Sequence, residues 1–143
     1  MGSGVHQFAA AIMGYDAYGI TAHVMRPSGE ALKVYLHRKP VDMRRGRNGL
    51  AALAREVMQQ DAFSGALFLF VGRRFDAIKI LYWDRNGFAL WYKVIESDEK
   101  FHWPRLLQED VITLSTEQLN WLLEGYDVWR QPHQMLRLLH AHQ

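Results

Sequence analysis

The chain has 143 residues, 49% apolar and 22% charged, with a formal net charge of +2. That is one compact domain with enough apolar material for a core, and too little charge for a largely disordered chain. With no cysteine, disulfide frameworks, thiolate nucleophiles and cysteine-based zinc sites are excluded, and a reducing cytoplasm is the expected location. No apolar run approaches the roughly 18 residues of a membrane span.

Residues 1–24 read as a loosely ordered extension or tag, rich in Gly and Ala, and Pro27-Ser28-Gly29 punctuates the chain before the domain proper. The domain is expected over 25–130, and a short helix or tail over 131–143. "LKVYLHR" alternates polar and apolar residues and reads as a strand ended by Pro40. In "NGLAALAREVMQQ", Leu50, Leu53, Ala54, Val57 and Met58 fall on one stripe, which predicts a helix over about 49–60 with Asn48 as its N-cap.

"GALFLFVG", "DAIKILYWD" and "GFALWYKVI" are three β-rich runs separated by tight turns. Asn86-Gly87 is a hairpin signal, because both residues tolerate positive φ. Phe88, Leu90 and Tyr92 share one face of the last strand, and Ala89 and Trp91 the other. Such aromatics, interleaved with Lys79 and Lys93, either pack under a helix or offer a stacking platform for bases. Ser115 and Gln118 form a capping box, and Gly125 is a natural helix stop. Together these elements predict an α+β fold, an antiparallel β-meander with two or three helices packed on one face.

Charge is unevenly spread. Between 33 and 47, six cationic residues face Asp42 alone; between 96 and 127, eight acidic residues face Lys100 and Arg105. A chain so polarised can turn one face toward a polyanion, or let the two segments neutralise each other. Arg44, Arg45 and Arg47 precede a helix N-terminus, where backbone N–H groups add to the guanidiniums in holding phosphate oxygens. Arg73-Arg74 supplies a second cationic turn, and Lys79, Arg85 and Lys93 complete the candidate nucleic-acid-binding set.

Other chemistry is thinly signalled. Asp76 with Lys79, or Asp84 with Glu96, are the pairs from which a metal-dependent nuclease would be assembled, although Asp also suits turn positions for local reasons. His133, His140 and His142 cluster near the C-terminus without nearby acids, and His102 beside Trp103-Pro104 reads as a packed turn residue. No phosphate-binding Gly-rich loop, nucleophile elbow or His-Glu-x-x-His is present. The expectation is a non-enzyme without metal or cofactor.

Three segments, "VDMRRGRNGLAAL", "GALFLFVGRRFDAIKILYWDRNGFALWYKVIE" and "FHWPRLLQEDVITLSTEQLNWLLEGYDVWR", together resemble the TnpB-type accessory protein of insertion sequence 66 transposons, which is distinct from the RNA-guided nuclease of the same name. The similarity spans about Lys33 to Arg130. It implies a bacterial accessory factor for DNA transposition, working beside a separate transposase, and it carries over no catalytic residue. Arg47 stands where members of that family often have an apolar or uncharged residue. Two roles follow. One is binding transposon-end DNA through the basic set; the other is docking on the transposase through the acidic half, with Trp121, Tyr126 or Trp129 exposed.

Overall fold

The computed structural model describes residues 32–130. The expected extension over 1–24 and the tail over 131–143, with its three histidines, lie outside the described residues. The elements are β1 (Val34–His37), α1 (Arg47–Glu56), β2 (Leu67–Val71), β3 (Ala77–Asp84), β4 (Gly87–Val94), β5 (Val111–Leu114) and α2 (Thr116–Leu123). The strands form one sheet in the order β4-β3-β2-β1-β5.

The α+β class stands, with the meander β2-β3-β4 antiparallel as expected. The sheet as a whole is mixed. Because α1 lies between β1 and β2 in sequence, the chain crosses over a sheet face, and those two strands run parallel, with Val34 beside Leu67 and Leu36 beside Leu69. Val111–Leu114, whose strand character the sequence reading passed over, pairs antiparallel with β1 as the far edge.

The helices sit on opposite faces, not on one. Strand alternation turns Leu67, Leu69, Val71, Ile78 and Ile80 toward α2, where they meet Leu119, Leu122 and Leu123. Phe68, Phe70 and Leu81 point the other way, toward Leu50, Ala51, Ala54 and Met58 of α1 and the segment after it. The two alanines let α1 approach the sheet closely. All five residues of β2 are buried, and each large apolar side chain removed from water contributes roughly 1.5–3 kcal/mol.

Two local features depart from expectation. α1 begins at Arg47, with Gly46 as an N-cap that offers no side-chain bond, so Asn48 lies inside the first turn. In the β3–β4 hairpin, Asp84 pairs with Gly87, leaving Arg85-Asn86 as the loop. Gly87 already belongs to β4, so the positive φ falls on Arg85, at 59°, and Asn86 N–H donates to the Asp84 carbonyl at 2.6 Å. The start of α2 follows the sequence signal: the Ser115 hydroxyl accepts from Gln118 N–H at 3.0 Å, and Ser115 N–H donates to the Gln118 side chain at 2.9 Å. Gly125, at φ 100°, ends it.

That box fixes the helix lying over half the core. Ser115→Ala should lower stability by about 1 kcal/mol, read as a shift in urea midpoint. Ser115→Ala/Gln118→Ala should cost less than the two single changes added together, because they share one reciprocal pair.

Candidate nucleic-acid interface

The loop after β1 is laid across the end of the sheet by backbone contacts. Val41 N–H donates to the Val71 carbonyl at 2.8 Å, and Val41 bridges Gly72 in the parallel sense. Met43 then passes directly over Gly72, where a Cβ would stand 2.7 Å from the Met43 Cγ; a larger residue there would push the loop away. The consequence is that Arg44, Arg45 and Arg47, from one segment, come to the same end of the sheet as Arg73 and Arg74 in the β2–β3 turn. All five side chains are exposed. This is the end toward which the parallel pair β1 and β2 points its C-termini, the side on which α/β crossovers commonly bind ligands.

Lys79 is the tether. Its Nζ donates to the Met43 carbonyl at 2.6 Å and the Arg45 carbonyl at 3.0 Å, and it lies 5.3 Å from the centre of the Tyr92 ring. Its charge sits beneath the loop, against two of that loop's carbonyls. α1 begins with Arg47 and carries no acid in its first turn, so its own residues put no anionic side chain at its positive dipole end.

Of the carboxylates at this end, Asp42 is the one bonded to an arginine of the set. Asp42 accepts from the Arg44 guanidinium at 2.6 Å and from Arg44 N–H at 2.9 Å. These bonds hold its carboxyl well below the usual carboxylate range, with Arg73 adding a smaller pull the same way. Arg44 remains 90% exposed, so the pair orients the guanidinium without covering it. The loop that carries Glu96, Asp98 and Glu99 also returns here, through Ile95 N–H to Asp76 and Phe101 N–H to Phe75, both 2.8 Å. Basic and acidic segments are therefore not parted by ends of the sheet; Glu117 in α2 and Glu124 at its C-terminus belong to the opposite face. Arg38 is engaged by the later half, donating to the Glu109 carbonyl at 2.8 Å and standing 3.7 Å from Asp110.

Two sequence candidates fall elsewhere. Arg85 occupies the hairpin at the other end of β3. Lys93 points to the α2 side and donates to the Leu123 carbonyl at 2.9 Å, closing the helix C-terminus, and burial lowers its pKa. The aromatic question divides by face: Tyr82 and Trp91 pack against the α2-side core, whereas Leu90 and Tyr92 are 37% and 54% exposed. Trp121 and Trp129 also pack against that core, and the Trp129 indole N–H donates to the His102 carbonyl.

The nuclease pairs are not assembled. Asp76 and Asp84 lie at opposite ends of β3, Asp84 and Glu96 at opposite ends of β4, and the Lys79 amine is committed to backbone. Among the described residues no group of three or more His, Asp or Glu could hold a metal ion, and no helix is long and apolar enough to cross a membrane.

Sequence reasoning missed His37, the one buried polar side chain among the described residues. Its ring lies 5.5 Å from that of Phe70, tilted by 38°, and it donates through Nδ1 to the Lys39 carbonyl at 2.8 Å, at the root of the basic loop. Only its place in a short alternating strand hinted at burial.

Among the described residues, the fold and site thus define a small helix–sheet–helix domain with a cationic loop cluster at the end of the parallel pair β1 and β2. The chain belongs to the IS66 Orf2-like family, whose model matches residues 32–134. Two uncharacterized proteins of Sinorhizobium fredii are similar: y4jC, 35% identical over 67% of this chain and 80% of its own length, and y4hO, 34% identical over 79% and 96%. No solved structure shows a significant match. Membership associates the chain with transposition of IS66 elements in an accessory role.

Two outcomes follow from this geometry. Lys79→Met, which leaves two carbonyls without their donor, should lower stability by about 1–2 kcal/mol and speed amide exchange in residues 43–46. Burial depresses the His37 pKa below the ordinary 6.5, so its contribution to stability is complete above that value and is lost as pH falls through the lower, folded one. Urea midpoints should therefore drop between pH 7 and 5, and His37→Gln should flatten that drop.

Proposed function

We propose that the protein is a non-catalytic transposition factor that grips the DNA of transposon ends through Arg44, Arg45, Arg47, Arg73 and Arg74, alongside the transposase of the same element. The observation that carries this reading is the convergence of five exposed arginines, from two segments far apart in the sequence, around a helix start that has no acid of its own. Guanidiniums fork onto phosphate oxygens in pairs, and free N–H groups at a helix N-terminus favour the same ligand. Lys79 supports the surface from below, while Arg85 and Lys93 take no part in it.

The adapter alternative rested on exposed aromatics in the acidic half. Trp121 and Trp129 are half-buried against the core, which makes them poorer anchors and supports the DNA reading.

Affinity for a duplex of the transposon end, measured across a salt series, tests this. The parent should show a steep dependence on salt. Arg44→Ala/Arg45→Ala/Arg73→Ala/Arg74→Ala should bind more weakly on any sequence, with the logarithmic slope reduced by roughly one for each phosphate no longer neutralised. Lys33→Ala, at the opposite end of β1, should leave the slope unchanged. A parent that does not bind DNA but co-purifies with its transposase from nuclease-treated extract would select the adapter instead.

A further inference from the structure

The two edges of the sheet are unlike. β5 is four residues long and is preceded by Glu109 and Asp110, the short, charge-flanked form that discourages pairing. β4 is eight residues long, GFALWYKV, with no proline and one charge, Lys93. That charge is turned to the Leu123 carbonyl.

The backbone phase of β4 follows from its register. Ile95 N–H donates inward to Asp76, and inward-bonded positions in an antiparallel pair recur at every second residue. Ala89, Trp91 and Lys93 therefore bond to β3, while Phe88, Leu90, Tyr92 and Val94 turn their N–H and C=O outward. Among the described residues β4 has no further strand beside it. These four residues also share the α1-side face, where Leu90, Tyr92 and Val94 are among the exposed large apolar side chains. Beside them Phe63, half exposed, meets Trp83 and Phe88 at 4.9 and 5.3 Å.

We propose that β4 pairs antiparallel with β4 of a second copy of this chain, making one sheet continuous across a symmetric dimer. One register pairs all four outward residues with one another and keeps the two lysines apart. With Trp91 opposite Trp91 of the second copy, Leu90 faces Tyr92, Phe88 faces Val94, and every outward N–H and C=O of these residues has a partner. Lys93 then faces Ala89, so like charges do not oppose each other. Carried past the strand ends, the same register brings Arg85 of one copy alongside the loop bearing Glu96, Asp98 and Glu99 of the other. The exposed hairpin arginine that lies apart from the basic end thereby meets an acidic complement. Since a two-fold axis between antiparallel neighbours stands perpendicular to the sheet, both α1 helices lie on one side of it.

The inference does not depend on DNA binding, and its test contains no DNA. Sedimentation velocity of the full 143-residue chain over a dilution series should show a dimer that dissociates on dilution. Leu90→Pro removes an outward donor and leaves the β3 ladder whole, a placement that edge strands tolerate. Tyr92→Glu puts a charge into the apolar row and keeps the backbone, so it serves if the proline variant fails to fold. Either should weaken the dimer at least about tenfold, with the far-UV circular dichroism of the parent. Because the chain has no cysteine, register can be read separately: Trp91→Cys should oxidise to a covalent dimer, and Arg85→Cys should not. A parent that is monomeric throughout, as coverage of this edge by residues 1–31 of the same chain would make it, overturns the proposal. So does a dimer that both substitutions leave intact, or one that crosslinks equally through either cysteine.

Discussion

β2 has no side facing water. Leu67, Leu69 and Val71 press against the α2 layer, Phe68 and Phe70 against the α1 layer, and the backbone between them is bonded to β1 on one flank and β3 on the other. Burial on both faces is possible only if a helix covers each, which in turn requires the chain to cross from β1 to β2 over one face and to return beneath the other after β5. The parallel pair, the split of the helices and the five-strand order are all consequences of hiding one apolar run of five residues.

The basic end is a by-product of the same crossover. A chain leaving β1 has to climb from the sheet plane to the α1 layer, and the climb is made by residues 38–46, where Val41 is still bonded to the sheet and Gly46 already opens the helix. The loop passes over the β2–β3 turn because Gly72 leaves room for Met43, and it stays there because the Lys79 amine holds two of its carbonyls. Arginines that could not have been packed anywhere in this core are thus collected at one rim by apolar constraints, and no mutual attraction is needed to gather them. Asp42 fits that account: bonded to Arg44, it relieves repulsion within the cluster while leaving the guanidinium open to solvent.

How much of this was legible depends on how local each signal is. The capping box at Ser115, the Gly125 stop and the alternation in β3 and β4 are contained within a few residues, and each appears where the sequence puts it. The β3–β4 hairpin was legible as a turn but not in its phase, because Asn-Gly chemistry does not reveal that Asp84 would pair with Gly87 and shift the strained φ onto Arg85. β5 escaped notice because four residues between an acidic pair and a helix cap carry little periodicity. The placement of helices on two faces was signalled, by "LFLFV": a strand apolar at every position is one buried on both sides, and a one-sided sheet should have shown alternation there, as β4 does.

The candidate site was less legible than the fold, for a reason that charge counting cannot remove. Eight cations were selected by type and neighbourhood, yet cations in this chain serve three different ends. Lys93 bonds the Leu123 carbonyl at the end of a helix, Lys79 props a loop, and Arg38 closes a contact with Glu109 and Asp110. All three are long side chains whose amine or guanidinium reaches back to protein, and in a sequence they look like those that reach out to solvent. Strand parity separates part of the set: Lys79 and Lys93 are an even number of steps apart and so share a side only until the hairpin between them is counted, after which they fall on opposite faces. Position in the topology separates the rest, because the β2–β3 turn and the loop before α1 meet only when β1 and β2 run parallel, and that pairing is fixed by the burial of β2, not by any arginine.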